Sequence, residues 1–158
     1  MAIIESELKE YCSSQENSDG GTLDAAREID TNGKISGTTN LFPAITSEEA
    51  SNGVTKYRKV FRKNNNSTDT WQDVKTWISL QINIDGADRV FIAKEGAAGD
   101  TEPPATWYQP NSKAHADVLG HGNIVAGAAF GLWMKLELPA GTSPGTYSLE
   151  TISEGITS

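Results

Sequence analysis

The 158-residue chain has a single cysteine, Cys12, which excludes an intrachain disulfide and a zinc cluster built on thiolates. It is short of positive charge. Thirteen Lys+Arg stand against twenty-one Asp+Glu, a net charge of −8, and that balance excludes long-range attraction to free nucleic acid or to an anionic membrane. No apolar run approaches the roughly 20 residues that a membrane-spanning helix needs. The opening Met-Ala-Ile-Ile-Glu-Ser-Glu lacks the basic start and apolar region of a signal peptide, so synthesis in a cytoplasm is expected.

Recognisable catalytic and metal motifs are also missing. Gly-x-Ser-x-Gly is absent, Cys12 has no histidine near it in sequence, and no phosphate-binding glycine loop precedes a helix. Asp30-Thr31-Asn32-Gly33 begins like a calcium loop but lacks the third acid, the central Asp-Gly and the closing Glu. The only histidines, His115 and His121, flank Asp117 without strand or helix spacing, so a polar loop is the simpler reading than a metal face. Asp69 and Asp73 are a carboxylate pair of the kind a glycosidase uses, yet such pairs arise by chance in a chain this acidic. The expectation is a protein without enzymatic activity, cofactor or metal.

What is present is a strongly uneven charge pattern. Residues 1–50 carry −7, residues 51–75 carry +4, and residues 76–158 carry −5. Five of the thirteen bases, Lys56, Arg58, Lys59, Arg62 and Lys63, fall within eight residues with no acid among them. They read either as a charged edge strand guarded against unwanted pairing or as a docking stripe for an acidic segment of a neighbouring chain. The acids Glu5, Glu7, Glu10 and Glu16 of the N-terminal stretch are the matching candidates, reaching to an adjacent copy or to a lattice.

Residues 1–40 are polar and weakly periodic, the composition of an arm with loops, and residues 41–158 form the folded domain. Removal of residues 1–18 is then expected to leave the fold intact. A short helix fits Leu23–Glu28 or Ser47–Ala50, the latter with Thr46 as a hydroxyl cap ahead of Glu48 and Glu49. From Tyr57 onward the period becomes two. In 74–84 the even positions are Val, Thr, Ile, Leu, Ile, Ile, and in 130–138 they are Phe, Leu, Met, Leu, Leu, so each is a strand with one buried face. Ile78, Leu80, Ile82, Leu132, Met134 and Leu136 are the expected core. Asp85-Gly86 reads as a hairpin turn to Arg89–Lys94, and Pro139–Gly145 leads to a last strand over 146–152. At least one more strand is expected within 95–129. Together these predict an all-β, Ig-like or jelly-roll-type antiparallel β-sandwich with an extended acidic N-terminal arm. Trp77 and Trp133 occupy the polar register, so they face solvent, a second layer or a partner; with Trp71, Trp107 and Tyr108 they are candidates for an interface anchor or a sugar-stacking platform.

The stretches Asp19–Leu23, Asn40–Ala50, Gly53–Phe61 and Lys63-Asn64, with Leu119-Gly120 and Gly127–Lys135 running on to Leu138–Thr142, resemble a group of small β-rich virion proteins of tailed bacteriophages. The second set resembles that group's closing hairpin and is also similar to Ig-like accessory domains. The resemblance is one of turns and strands and covers most of residues 19–152. It implies a virion structural component without enzymatic activity, made in the host cytoplasm: a capsid decoration (cement) protein that bridges capsid subunits, present in many copies or as a homo-oligomer, with the major capsid protein or other virion proteins as partners. A tail, neck or fibre component and a carbohydrate-binding module using Trp77 and Trp133 are the alternatives. If no metal supports the fold, a chelator leaves the melting temperature unchanged; a fall of many degrees in a thermal melt would revive His115, Asp117, His121 or the Asp30 loop as a metal site.

Overall fold

The computed structural model describes residues 3, 5–13, 23–27, 42, 44–82, 89–96 and 102–157. Among the described residues the strands are β1 (Leu8–Ser13), β2 (Leu23–Arg27), β3 (Val54–Asn64), β4 (Trp71–Ile82), β5 (Arg89–Lys94), β6 (Gly120–Ile124), β7 (Ala129–Leu138) and β8 (Ser148–Thr157), with one α-helix, α1 (Ser47–Asn52). All pairings are antiparallel. A five-stranded sheet runs β2-β1-β3-β7-β5 and a three-stranded sheet runs β6-β4-β8, so the fold is an all-β sandwich.

Period-two alternation places β7 correctly. Leu132, Met134 and Leu136 are fully buried between the sheets, and Ile78 of β4 joins them with Val60, Ile92, Phe42 and Tyr147. The side chains of Leu80 and Ile82 lie outside the described residues. Helix α1 forms where the cap signal is strongest. Thr46 Oγ1 accepts from the Glu49 N–H and the Glu49 carboxylate accepts from the Thr46 N–H, a complete capping box. The helix stops at Gly53, whose φ of +80° disfavours any side chain and where an added Cβ would come within 3.0 Å of the Ala140 nitrogen. The other helix candidate, Leu23–Glu28, is instead strand β2 over 23–27.

Three further expectations are corrected. Arg89–Lys94 does not pair with 74–84; β5 crosses to the other sheet and pairs with β7, from Arg89↔Glu137 to Lys94↔Leu132. Likewise β8 does not close a hairpin with β7 but pairs with β4. Both links connect the two layers, which a local turn signal cannot distinguish from a hairpin. The extra strand expected within 95–129 is β6, whereas Asp117–Leu119 lies in a 3₁₀ turn and Tyr108 makes an isolated bridge to Ile92 that covers part of the β5 edge.

The third correction concerns the N-terminal stretch and the basic stripe together. Leu8–Ser13 is not a free arm but strand β1, paired from Leu8↔Asn64 to Cys12↔Val60 along β3. The basic strand β3 is consequently not an edge strand; it lies at the middle of the larger sheet. Ile3 and Leu8 are buried with Trp71, Val74, Ile124 and Phe130 in a second apolar cluster. Removal of residues 1–18 therefore takes out a strand and part of the second apolar cluster, and is expected to destabilise the fold.

Between the two apolar clusters runs a buried polar layer: Glu10, Arg62, Thr76, Thr151 and Ser153, each at most 1% exposed. The Arg62 guanidinium donates to Ser153 Oγ, Thr151 Oγ1 and the Thr151 carbonyl, and lies 3.7 Å from the Glu10 carboxylate. Removing one member of such a pair leaves the other charge desolvated. Arg62→Met is expected to cost about 3–5 kcal/mol, while the double replacement Arg62→Met with Glu10→Met recovers much of that loss. Urea denaturation of the two variants checks the ordering; equal destabilisation would show that the ion pair is not what holds the layer.

Candidate functional site

A cleft of about 430 Å³ lies beside the polar layer, where β6 of the smaller sheet meets the ends of β5 and β7. Lys94, Glu95, His121, Phe130 and Gly131 line it. The His121 imidazole stacks on the Phe130 ring, with centroids 4.0 Å apart and planes 24° from parallel. Its Nε2 lies 2.9 Å from Thr76 Oγ1, which lies 2.6 Å from Ser153 Oγ, itself bonded to Arg62. One hydrogen-bonded chain thus runs from the cleft to the buried Arg62–Glu10 pair.

The opposite wall depends on a glycine. Glu95 Oε1 accepts from the Gly131 N–H at 3.0 Å, and Glu95 Oε2 lies 2.8 Å from the fully buried Lys59 ammonium. A Cβ on Gly131 would fall 2.5 Å from Glu95 Oε2 and 2.7 Å from Lys59 Cε, so any side chain there displaces the ion pair. Lys94 Nζ donates to the Gly120 carbonyl at 3.2 Å on the rim. Burial, with Arg62 and then Lys94 adding positive potential, pushes the His121 pKa down to about 3, so the ring is neutral at neutral pH.

The basic stripe is divided between the faces of β3. Arg62 points between the sheets and Lys59 to the outer face, both buried. Lys56 pairs with Glu49 of α1 at 2.5 Å, Lys63 sits 6.0 Å from the Tyr11 ring centroid, and Arg58 is half-buried. Of the acids, Glu10 meets Arg62 within the same chain and Glu7 accepts from Asn66 Nδ2 at 2.9 Å. The Glu5 side chain and Glu16 lie outside the described residues. A continuous exposed stripe on Lys56–Lys63 is therefore corrected: two of its five cations, Lys59 and Arg62, are held internally.

The aromatic platform is corrected on the same ground. Trp133 is fully buried and Trp77 is 8% exposed, so neither offers a ring face for stacking. Lys59 Nζ lies 5.5 Å from the Trp133 ring centroid, and Lys135 Nζ lies between the rings of Phe91 at 4.4 Å and Trp107 at 4.9 Å. Trp107 also packs on Tyr57 at 5.7 Å, and Trp107 and Tyr108 are half-buried. Trp71 faces inward despite its odd number, because a bulge at Asp73, with φ of +49°, brings Trp71 and Val74 to one face.

The remaining candidates separate. His115 Nδ1 lies near Ser112 Oγ and Asn111 Oδ1, Asp117 pairs with Lys75 at 2.7 Å, and His121 belongs to the cleft. Among the described residues no group of three His, Cys, Asp or Glu is placed to hold a metal. Asp73 lies 3.9 Å from Lys75, and Asp69 accepts from Thr68 Oγ1 in the turn before β4. The Asp30 loop and the Cys12 side chain lie outside the described residues. Sequence reasoning singled out His121 but missed Lys94, Glu95 and Gly131. The available signal was Gly131, an isolated glycine interrupting a clean alternating strand.

No protein-family model, curated protein or solved structure matches this chain.

The neutral imidazole has a pH consequence. The folded His121 pKa lies near 3 and the unfolded value near 6.5, so between those limits the unfolded chain binds the extra proton. This contribution to stability is whole above about pH 6.5 and is lost as pH falls towards 3. His121→Gln removes it, so stability of the variant relative to the wild type should rise as pH drops from 7 to 4. Urea midpoints across that range read the difference; parallel pH profiles would refute the depressed pKa.

Proposed function

We propose that this chain is a non-enzymatic structural protein of a tailed-bacteriophage virion, a capsid decoration protein that sits on assembled shells in many copies and bridges neighbouring capsid subunits. The observation that carries the reading is where the likeness falls. Gly53–Phe61 and Gly127–Lys135 include most of β3 and β7, the paired strands at the middle of the larger sheet, so the resemblance follows the frame of the fold. The internal use of Lys59, Arg62, Trp77 and Trp133 supports a rigid block and weighs against the carbohydrate-binding alternative.

Attachment then falls to other surfaces than the basic stripe. Val125 and Ile156 are exposed apolar residues near the same end of the smaller sheet, since Trp71 pairs with both Ile124 and Thr157. Apolar contacts of this kind are weak singly and sufficient when repeated over a lattice. Purified protein is expected to co-sediment with empty shells of the phage that encodes it, saturating at a fixed number of copies per shell, and Val125→Asp with Ile156→Asp is expected to lower occupancy without changing the melting temperature. Absence of binding to shells at every ionic strength would overturn the decoration reading, and binding to tails instead would move the protein to the tail, neck or fibre.

A further inference from the structure

Donor and acceptor roles in the buried chain follow from Arg62. A guanidinium only donates, so Ser153 Oγ accepts from Arg62 Nη1. The Ser153 hydroxyl hydrogen then goes to Thr76 Oγ1 at 2.6 Å, because the opposite direction would leave a fully buried hydroxyl hydrogen without an acceptor. Thr76 in turn donates to His121 Nε2 at 2.9 Å. A neutral imidazole carries one N–H, and with Nε2 accepting, the proton sits on Nδ1. Among the described residues Nδ1 has no hydrogen-bond partner and is not among the buried polar atoms; the ring stacks on Phe130, and both residues line the cleft.

We infer that this cleft binds a carboxylate, received by the Nδ1–H of His121 and the ammonium of Lys94. Lys94 gives one hydrogen to the Gly120 carbonyl and keeps two for a ligand. Arg62 lies behind the ring and adds positive potential to the floor. Glu95 is the opposing charge on the wall, and it is already neutralised by Lys59 and by the Gly131 N–H. One neutral N–H and one ammonium match a monoanion; a phosphate dianion would bring excess charge against Glu95. This site stands independently of the virion reading, since the carboxylate is either a free small acid or an Asp or Glu side chain of a partner.

Two measurements on protein labelled with ¹⁵N in its histidines test the inference. The long-range ¹H–¹⁵N spectrum at neutral pH should show His121 as the Nδ1–H tautomer, with His115 told apart by His115→Gln. Titration with sodium acetate at constant ionic strength should then shift the His121 signals saturably, and Lys94→Gln should weaken that binding several-fold. A blocked glutamate tripeptide that saturates at much lower concentration than acetate assigns the site to a partner's side chain; equal affinity assigns it to free acids. Thr76→Val should release the tautomer preference, and if that variant does not fold, the wild-type spectrum alone decides. An Nε2–H ring in the wild type, or shifts that sodium chloride reproduces, would overturn the proposal.

Discussion

Arg62 is a full positive charge in the middle of the sandwich, and the surrounding structure is organised around the hydrogen bonds that its Nη1 and Nη2 donate to Ser153 and Thr151. Taking a guanidinium out of water costs several kcal/mol after relaxation, about what good geometry and complete hydrogen bonding can offset. The offset comes from two directions at once. From the facing sheet, β8 turns Thr151 and Ser153 inward at the level of Arg62; from the neighbouring strand, β1 brings Glu10 into register with it. A one-residue slip of β3 would carry Arg62 to the outer face and break every one of these contacts, so the polar layer fixes register where apolar packing alone tolerates alternatives. It also explains why the core is two clusters and not one.

The outer face of the larger sheet solves a related problem with different chemistry. Lys59 and Lys135 lie along aromatic rings, and their stems cover apolar surface that would otherwise meet water. Lys59 ends on Glu95, and Lys135 Nζ is 2.9 Å from Glu137. Both faces of this sheet are consequently buried over its centre, one by the second sheet and the other by lysine stems and the segment holding Trp107. A basic run in sequence is here a packing device, and it needs the glycine at 131 to let Glu95 approach.

This arrangement sets what the sequence could disclose. The strands β4 and β7 were legible because apolar and polar residues alternate cleanly in their sequence, and α1 was legible because its capping box lies within four residues. β1 was not, because an inward Glu10 looks like a solvent-facing acid until its partner fifty-two positions away is known. A last strand was expected over 146–152, but the alternation of Thr151 and Ser153 with Ile152 and Glu154 gives no apolar face to show which side turns inward. Trp77 and Trp133 were placed in the polar register correctly, but which of solvent, a second layer or a partner that register meets is not written in its alternation; both rings are buried, and Trp133 lies under the Lys59 ammonium. The pairing of β5 with β7 failed for a topological reason: Asp85-Gly86 favours a turn, and a turn does not say whether the next strand stays in the same sheet.

The cleft was only half legible because it is a consequence of the polar layer and not a motif. His121 lies at the point where the chain of hydroxyls leading from Arg62 reaches the surface, and the direction of donation along that chain is dictated by the guanidinium at its buried end. The chemistry offered at the surface is thus set by a residue that does not touch solvent. Stability and site share one cause: the contacts that make Arg62 tolerable inside the sandwich also hold the imidazole in one orientation, unprotonated at Nε2 and facing Thr76. An aliphatic residue at position 62 would leave Ser153 and Thr76 free to donate in either direction, and the ring would no longer have a defined donor to present.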